Sequence, residues 1–302
     1  MKVNCYSLNL KHILLFIMLA VLFAACKEDL PKDRIDYLKL YNEPNYPKKT
    51  AGRFLKNISS QSTINQNDLN SPFENGVKVG FFYNPKHYVD YYKIYGPEAD
   101  SVGRVVKIEY NVNGLVSRFK YFDLDSVIVA FELFEYSTQN QLNRINRYEL
   151  AADLVKYELS SFNKFSFPST DKIEELRYLK SRKFSQPLKD VYLYDANGNI
   201  KEKLYYENDI PFPYSSTEFY YNDKKRPFEN LGVPVYEMNY DDFQRSDILS
   251  KNLSIGFHSY TYENSDVKIS VGDTIMYEMV YDSLDYPVSK GDSIYYNYID
   301  LE

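Results

Sequence analysis

The chain has 302 residues, with 36 basic against 42 acidic side chains and a net charge of −6. That balance excludes phosphate neutralisation as a basis for nucleic-acid binding and leaves no basic patch for anionic lipid head groups. Thirty-two Tyr and 19 Phe stand against no Trp and 11 Gly. Such usage points to strands with half-covered faces, where a Tyr ring buries area and its hydroxyl stays wet.

The chain opens MKVNCYSLNLKHILLFIMLAVLFAAC. Lys2 and Lys11 give a positive start, and Ile13 to Ala25 is an uninterrupted apolar run of 13 residues. A spanning helix needs about 20, so the run has the length of a secretory signal's apolar stretch. Ala24-Ala25 leads directly into Cys26. This resembles the lipobox of bacterial lipoproteins, with Phe23 where that family usually carries Leu. The resemblance implies that the Cys26 thiol receives a diacylglycerol, that residues 1–25 are removed as a signal peptide, and that the new amine is acylated. Cysteine suits the role because its thiolate is nucleophilic near neutral pH. Lys27-Glu28-Asp29 follows, resembling the export signal of Bacteroidetes surface lipoproteins. It implies a lipid-anchored place on the outer face of the outer membrane.

Residues 1–25 hold two of the 36 basic residues and none of the 42 acidic ones, so the mature chain carries 34 against 42, a net charge of −8. Of two cysteines, Cys5 leaves with the signal and Cys26 is acylated. The mature monomer therefore has no disulfide, thiolate metal site or cysteine nucleophile, and its core must hold unaided.

Residues 26–75 read as the lipidated cysteine followed by a tether and an irregular leading segment. Pro31, Pro44 and Pro47 interrupt it, and the Asn-, Ser- and Gln-rich stretch from Asn57 to Asn75 reads as loop. Residues 76–302 read as one Tyr-rich β domain. Val105 to Tyr110 alternates apolar and charged residues with period two, Asn113-Gly114 supplies the positive φ angles of a tight hairpin, and Leu115 to Phe122 runs back. Tyr192 to Ile200 repeats the unit, with Lys201 to Tyr206 as its return strand. Tyr220 to Phe228 and Val280 to Val288 share its shape, and Glu135 to Leu142 is a weaker copy. The Tyr ending each outgoing strand falls at 110, 136, 194, 221 and 281. The long intervals are close to twice the short ones, which predicts a hairpin meander in which some copies have lost the turn signature.

These phrases resemble the YD-type hairpin repeats of uncharacterised Bacteroidetes cell-surface lipoproteins, a domain of unknown function. The matching positions are Tyr192 to Ile200, Tyr221 to Phe228 and Tyr281 to Val288, and the resemblance covers about residues 105–299. It implies a mostly β fold, an antiparallel meander forming a curved or barrel-like sheet, and no activity. Arg118-Phe119-Lys120 and Lys201-Glu202-Lys203 place charge where a lipid-facing strand needs an apolar face, which predicts a soluble sheet. One or two short helices are expected. Asp171 to Glu174 matches a capping box ahead of Ile173, Leu176 and Leu179, and Asp241 to Leu253 is the second candidate.

No catalytic constellation is legible. His87 and His258 have no ligand spacing, and serine-hydrolase elbows and phosphate-binding loops are missing. Asp123/Asp125 and Asp241/Asp242 are close carboxylate pairs that also suit turns. The sequence points to a protein without enzymatic activity, cofactor or metal. It reads as a surface-anchored binding module for a glycan, peptide or protein. The other reading is an envelope-assembly component pairing with another outer-membrane protein. A glycan binder should show two or three coplanar Tyr or Phe on an open face, and an assembly component an apolar patch or unpaired sheet edge.

Overall fold

The alternating Tyr-rich segments fold as strands, and nearly everything else among the described residues is turn. The structure is a computed structural model that describes residues 47–60, 77–95, 102–152, 154–207, 211–227, 250–263, 267–291 and 294–302. Among them are seventeen strands in one sheet. In chain order they are β1 (Gly52–Ser60), β2 (Val77–Tyr83), β3 (Val89–Tyr95), β4 (Val102–Tyr110), β5 (Val116–Phe122), β6 (Ile128–Tyr136), β7 (Leu142–Leu150), β8 (Tyr157–Ser169) and β9 (Lys172–Leu179). A single 3-10 turn, Lys180–Arg182, precedes β10 (Leu188–Tyr194), β11 (Ile200–Tyr206), β12 (Ser215–Tyr221), β13 (Ser254–Tyr262), β14 (Lys268–Met276), β15 (Met279–Tyr281), β16 (Pro287–Lys290) and β17 (Ile294–Leu301).

Every ladder is antiparallel. Strands β2 to β14 pair in chain order, β1 lies between β2 and β17, and β16 and β15 continue beyond β17. The ends of the row, β14 and β15, are consecutive in the chain, and no ladder joins them among the described residues. The Tyr277 N–H donates to Ile255 O at 2.7 Å, while Glu278 O accepts from the Gly291 N–H at 2.7 Å. Within two residues the chain passes from one neighbour to the other. The sheet is therefore curved back on itself without being closed by a ladder.

Six connections share one five-residue turn, beginning at Asn84, Asn111, Asp123, Ser137, Asp195 and Asp282. In each, the first residue's N–H donates to the fifth carbonyl, and the fourth N–H donates back to the first carbonyl. The fourth residue has positive φ: His87, Gly114, Ser126, Asn140, Gly198 and Asp285. The first side chain accepts from backbone N–H groups inside the turn, as Asn111 does from Asn113 and Leu115, and Asp195 from Asn197 and Asn199. This is a type I turn with a bulge. Only the glycine of each Asn-Gly pair takes the positive φ, where the sequence suggested both. The ladder resumes with an aromatic opposite an apolar residue or Pro: Tyr83 and Val89, Tyr110 and Val116, Phe122 and Ile128, Tyr136 and Leu142, Tyr194 and Ile200, Tyr281 and Pro287.

Four of these pairs, at Tyr83, Tyr110, Tyr136 and Tyr194, plug one rim of an apolar face. One core cluster runs from Leu55 and Ile58 through Tyr92, Val106, Ile108, Phe119 and Phe134 to Ile145 and Phe165. A smaller one holds Tyr192, Ile200 and Phe219. On the same face the core continues as paired charge. Glu132 lies 2.7 Å from Arg147, Glu175 accepts from Asn163 and Tyr192 at 2.8 Å each, and Asp190 sits between Arg177 and Lys203.

Two expectations are corrected. The stretch expected to be helical after Asp171 is strand β9. Its Ile173, Leu176 and Leu179 fit a helical spacing, but β8 and β10 satisfy its backbone on both edges, whereas an isolated helix of this length is marginal. The second helix candidate lies outside the described residues up to position 249, and its described end, 250–253, is not helical. The sheet also begins before the expected boundary at 76. Both Phe54 and Leu55 of β1 are buried, so that strand lacks the alternation that marks a one-sided strand.

Candidate functional site

Cys26, Lys27, Glu28 and Asp29 lie outside the described residues, as do Asp241 and Asp242. His87 is buried, with Nε2 2.9 Å from Glu302 O. Asp123 is the first residue of a repeated turn, and its carboxylate accepts from the Val127 N–H. Among the described residues no group of three or more His, Cys, Asp or Glu is placed to hold a metal ion.

His258 bridges two hydroxyls, with Nε2 2.7 Å from Ser270 Oγ and Nδ1 2.9 Å from Thr274 Oγ1. A Ser–His contact is half of a nucleophilic triad. Among the described residues no carboxylate orients it: Glu218, opposite His258 in the ladder, binds Tyr260 and Lys268 instead.

The sheet face opposite the apolar core carries three stacked aromatic pairs. Phe82 and Tyr91 have ring centroids 4.5 Å apart, Phe131 and Tyr148 4.9 Å, and Phe162 and Tyr178 4.4 Å. Each pair is directly cross-strand. The rings face one another, and cations cover two of the pairs. Lys93 lies over Phe82, Arg144 over Phe162, and Lys164 over Phe162 and Tyr178. Their faces are thus occupied internally, and these rows are not the open coplanar platform expected of a glycan binder.

The cleft arises where the repeat is interrupted. The β8–β9 connection is only Thr170-Asp171, and the rim positions that elsewhere hold an aromatic and an apolar partner hold Ser169 and Lys172. No such pair plugs the rim there. The two apolar clusters separate at this point, and Ile173 lies on the edge of both. The cavity left is about 590 Å³, lined by Gln141, Phe167, Ser169, Thr170, Ile173 and Tyr194. Its frame is fixed, since the Tyr194 N–H donates to Asp171 O at 2.8 Å and Ser169 Oγ donates to the Asp171 carboxylate at 2.5 Å.

Tyr194 is the distinctive member. Elsewhere a Tyr hydroxyl reaches the carbonyl just past a repeated turn: Tyr110 to Val89 at 2.8 Å, Tyr157 to Ile128 at 2.6 Å, Tyr221 to Ile200 at 3.0 Å and Tyr298 to Pro287 at 2.7 Å. The β8–β9 hairpin has no such turn, and the Tyr194 hydroxyl, like that of Tyr136, makes no hydrogen bond among the described residues. Burial pushes its pKa up to about 12, with Arg226 opposing. The sequence hinted at the cleft only indirectly, through the long interval between Tyr136 and Tyr194.

No protein-family model matches the chain, and no curated protein does. Among solved structures, a DUF3836 family protein from Bacteroides vulgatus is similar over 26% of this chain and 80% of its own, at 14% identity and a TM-score of 0.24. A porin-like protein from Bacteroides vulgatus is similar over 83% of this chain and 100% of its own, at 12% identity and a TM-score of 0.45. A porin-like protein from Bacteroides uniformis covers 85% and 100%, at 11% identity and a TM-score of 0.36.

Proposed function

We propose that this chain is a lipid-anchored envelope protein, displayed on the cell surface, whose β domain is a non-enzymatic binding module. The observation that carries the binding reading is the cleft at the interrupted repeat. It has the size of a small-ligand site, about 300–1,000 Å³, and an apolar floor with a few convergent polar groups. On this reading the site holds its ligand and does not convert it. The test is a combined glycan and peptide array probed with the full chain. A reproducible hit lost on Thr170→Trp supports the reading, and hits unaffected by it place binding elsewhere. The anchor rests on Cys26. Cells fed an alkyne-palmitate should label the protein, and Cys26→Ser should not take up label.

One feature favours assembly with another envelope protein as a second reading. All nine residues of β14 are exposed, including Ile269, Val271, Ile275 and Met276 at 40–56%. Among the described residues this strand has a ladder only to β13. An apolar outer strand is a template for strand pairing. Gly272, with φ of +72°, and the bulge opposite His258 interrupt it. If assembly is the function, cross-linking in cells should capture an envelope partner from the native chain and lose it on Val271→Lys.

A further inference from the structure

Resting on the binding-module reading, we infer that the cleft beside Tyr194 takes a neutral sugar ring, the terminal residue or two of an uncharged glycan. Four properties of the lining select that class. The first is charge. Gln141, Phe167, Ser169, Thr170, Ile173 and Tyr194 include no side chain that is ionised near neutral pH, and buried ionic ligands require an opposite charge or dense hydrogen bonding. The carboxylate of Asp171, next to the lining in the chain, is engaged by Ser169.

The second is the mixture of surfaces. Phe167 and Ile173 are half-buried on the margin of the large core cluster, so their outer faces are apolar and rigidly backed. The Thr170 and Tyr194 hydroxyls and the Gln141 amide donate and accept. A pyranose has the matching pattern, apolar C–H faces edged by hydroxyls that both donate and accept.

The third is backbone supply. A peptide ligand is held through main-chain hydrogen bonds at an open strand edge. Here β7, β8, β9 and β10 are laddered on both sides. The Gln141 N–H and carbonyl are spent within their own turn, and the Tyr194 N–H is spent on Asp171. The cleft offers side chains and almost no free backbone.

The fourth is the Tyr194 hydroxyl. It is the only group of its kind at the cleft, lacks a partner among the described residues, and is shielded enough for its acidity to fall. A hydroxyl so placed gains more from a ligand than one already bound to the chain.

The experiment is saturation-transfer NMR on the purified full chain in detergent. The probes are methyl glycosides of neutral hexoses and N-acetylhexosamines, with methyl glucuronide, glucosamine and trialanine as contrasts. Neutral glycosides should give saturable binding, weakened about two- to tenfold by Tyr194→Phe, the effect of one hydrogen bond. Thr170→Trp, at an exposed turn position, should abolish it by filling the cleft. Circular dichroism and melting of both variants should match the native chain, which separates lost binding from lost fold. Absence of binding by every neutral glycoside, or binding that survives Thr170→Trp, overturns the inference. A charged sugar or trialanine that binds and is expelled by Thr170→Trp would sink the neutral-sugar assignment while leaving the binding module standing. If no probe responds to Thr170→Trp, the cleft is not the site, and the array then decides whether the chain binds elsewhere.

Discussion

At the scale of single residues, the fold is organised by tyrosine hydroxyls. Tyr110, Tyr157, Tyr221 and Tyr298 each donate to the carbonyl just past a repeated turn. A bulge disturbs the regular ladder at that point, and a hydroxyl arriving from the next strand, or for Tyr157 the next but one, satisfies the backbone there. Replacing Tyr110 by Phe keeps the ring and removes the donor, leaving a buried carbonyl short of a partner. The expected cost is about 1 kcal/mol, read as a lower denaturation midpoint with unchanged slope. Tyr194→Phe, which has no such bond to lose, should leave the midpoint unmoved.

The same tyrosines set the alkaline limit of the protein. Burial raises the pKa of Tyr83, Tyr136 and Tyr298, and lifts Tyr194 from 10.0 to about 12. Below pH 10 these phenols are protonated in both folded and unfolded chains, and the stability from burying them is fully present. Above pH 10 the unfolded chain ionises first and binds fewer protons than the folded one, so stability falls as pH rises. Thermal unfolding scans from pH 8 to 12 should show a melting temperature that declines only above about pH 10. A flat profile to pH 12 would show that these hydroxyls are wetter than their surroundings indicate.

At the scale of elements, the repeated turn carries the local information. Its fourth residue must adopt a left-handed backbone, which costs a non-glycine residue about 1–2 kcal/mol. Leu154, at φ of +55° and 71% exposed, occupies the corresponding place in the longer β7–β8 connection. Leu154→Gly should therefore raise stability by about 1 kcal/mol. The two Asn-Gly turns should separate in the opposite test. At Gly198 an added methyl meets nothing nearer than Lys251 at 3.9 Å, whereas at Gly114 it collides with the Tyr88 hydroxyl. Gly114→Ala should lower the melting temperature more than Gly198→Ala.

The turn also explains what could be read in advance. Asn-Gly beside a Tyr marks the copies at 111 and 195 plainly. The copies at Asn84 and Asp123 carry His87 and Ser126 at the left-handed position, which gives no local signal. The two long Tyr intervals have different causes. Between Tyr136 and Tyr194 a copy has lost its turn, as the sequence implied. Between Tyr221 and Tyr281 there is one unit, lengthened by the 222–253 connection between β12 and β13. β9 misled because its two faces are both partly covered, so its apolar residues obey neither period cleanly. The cleft stayed hidden for a related reason. It is made by what the β8–β9 hairpin lacks, and only pairing register shows that Ser169 and Lys172 stand where an aromatic and an apolar partner belong elsewhere.

For the molecule as a whole, net charge and anchoring pull in different directions. With residues 1–25 removed the chain carries −8, and many of its lysines and arginines are committed to carboxylates or rings on the sheet. Lys120 pairs with Glu109, Lys203 with Asp190, and Lys268 with Glu202 and Glu218. Among the described residues little cationic surface remains for an anionic bilayer, whose attraction depends on clustered free charges and is screened over about 8–10 Å at physiological salt. If Cys26 acylation is the attachment, membrane association should be indifferent to ionic strength. Washing membranes with 1 M salt should leave the native chain in the pellet, while Cys26→Ser should move to the soluble fraction at any salt concentration. Release of the native chain by salt would mean that a charged protein partner holds it, and would shift weight to the exposed β14 strand. Orientation is a separate matter, and the proposal assigns it to Lys27-Glu28-Asp29. Replacing the three by alanine should abolish cleavage by externally added protease on intact cells without releasing the protein from membranes. Undiminished cleavage would show that the display signal lies elsewhere in the chain.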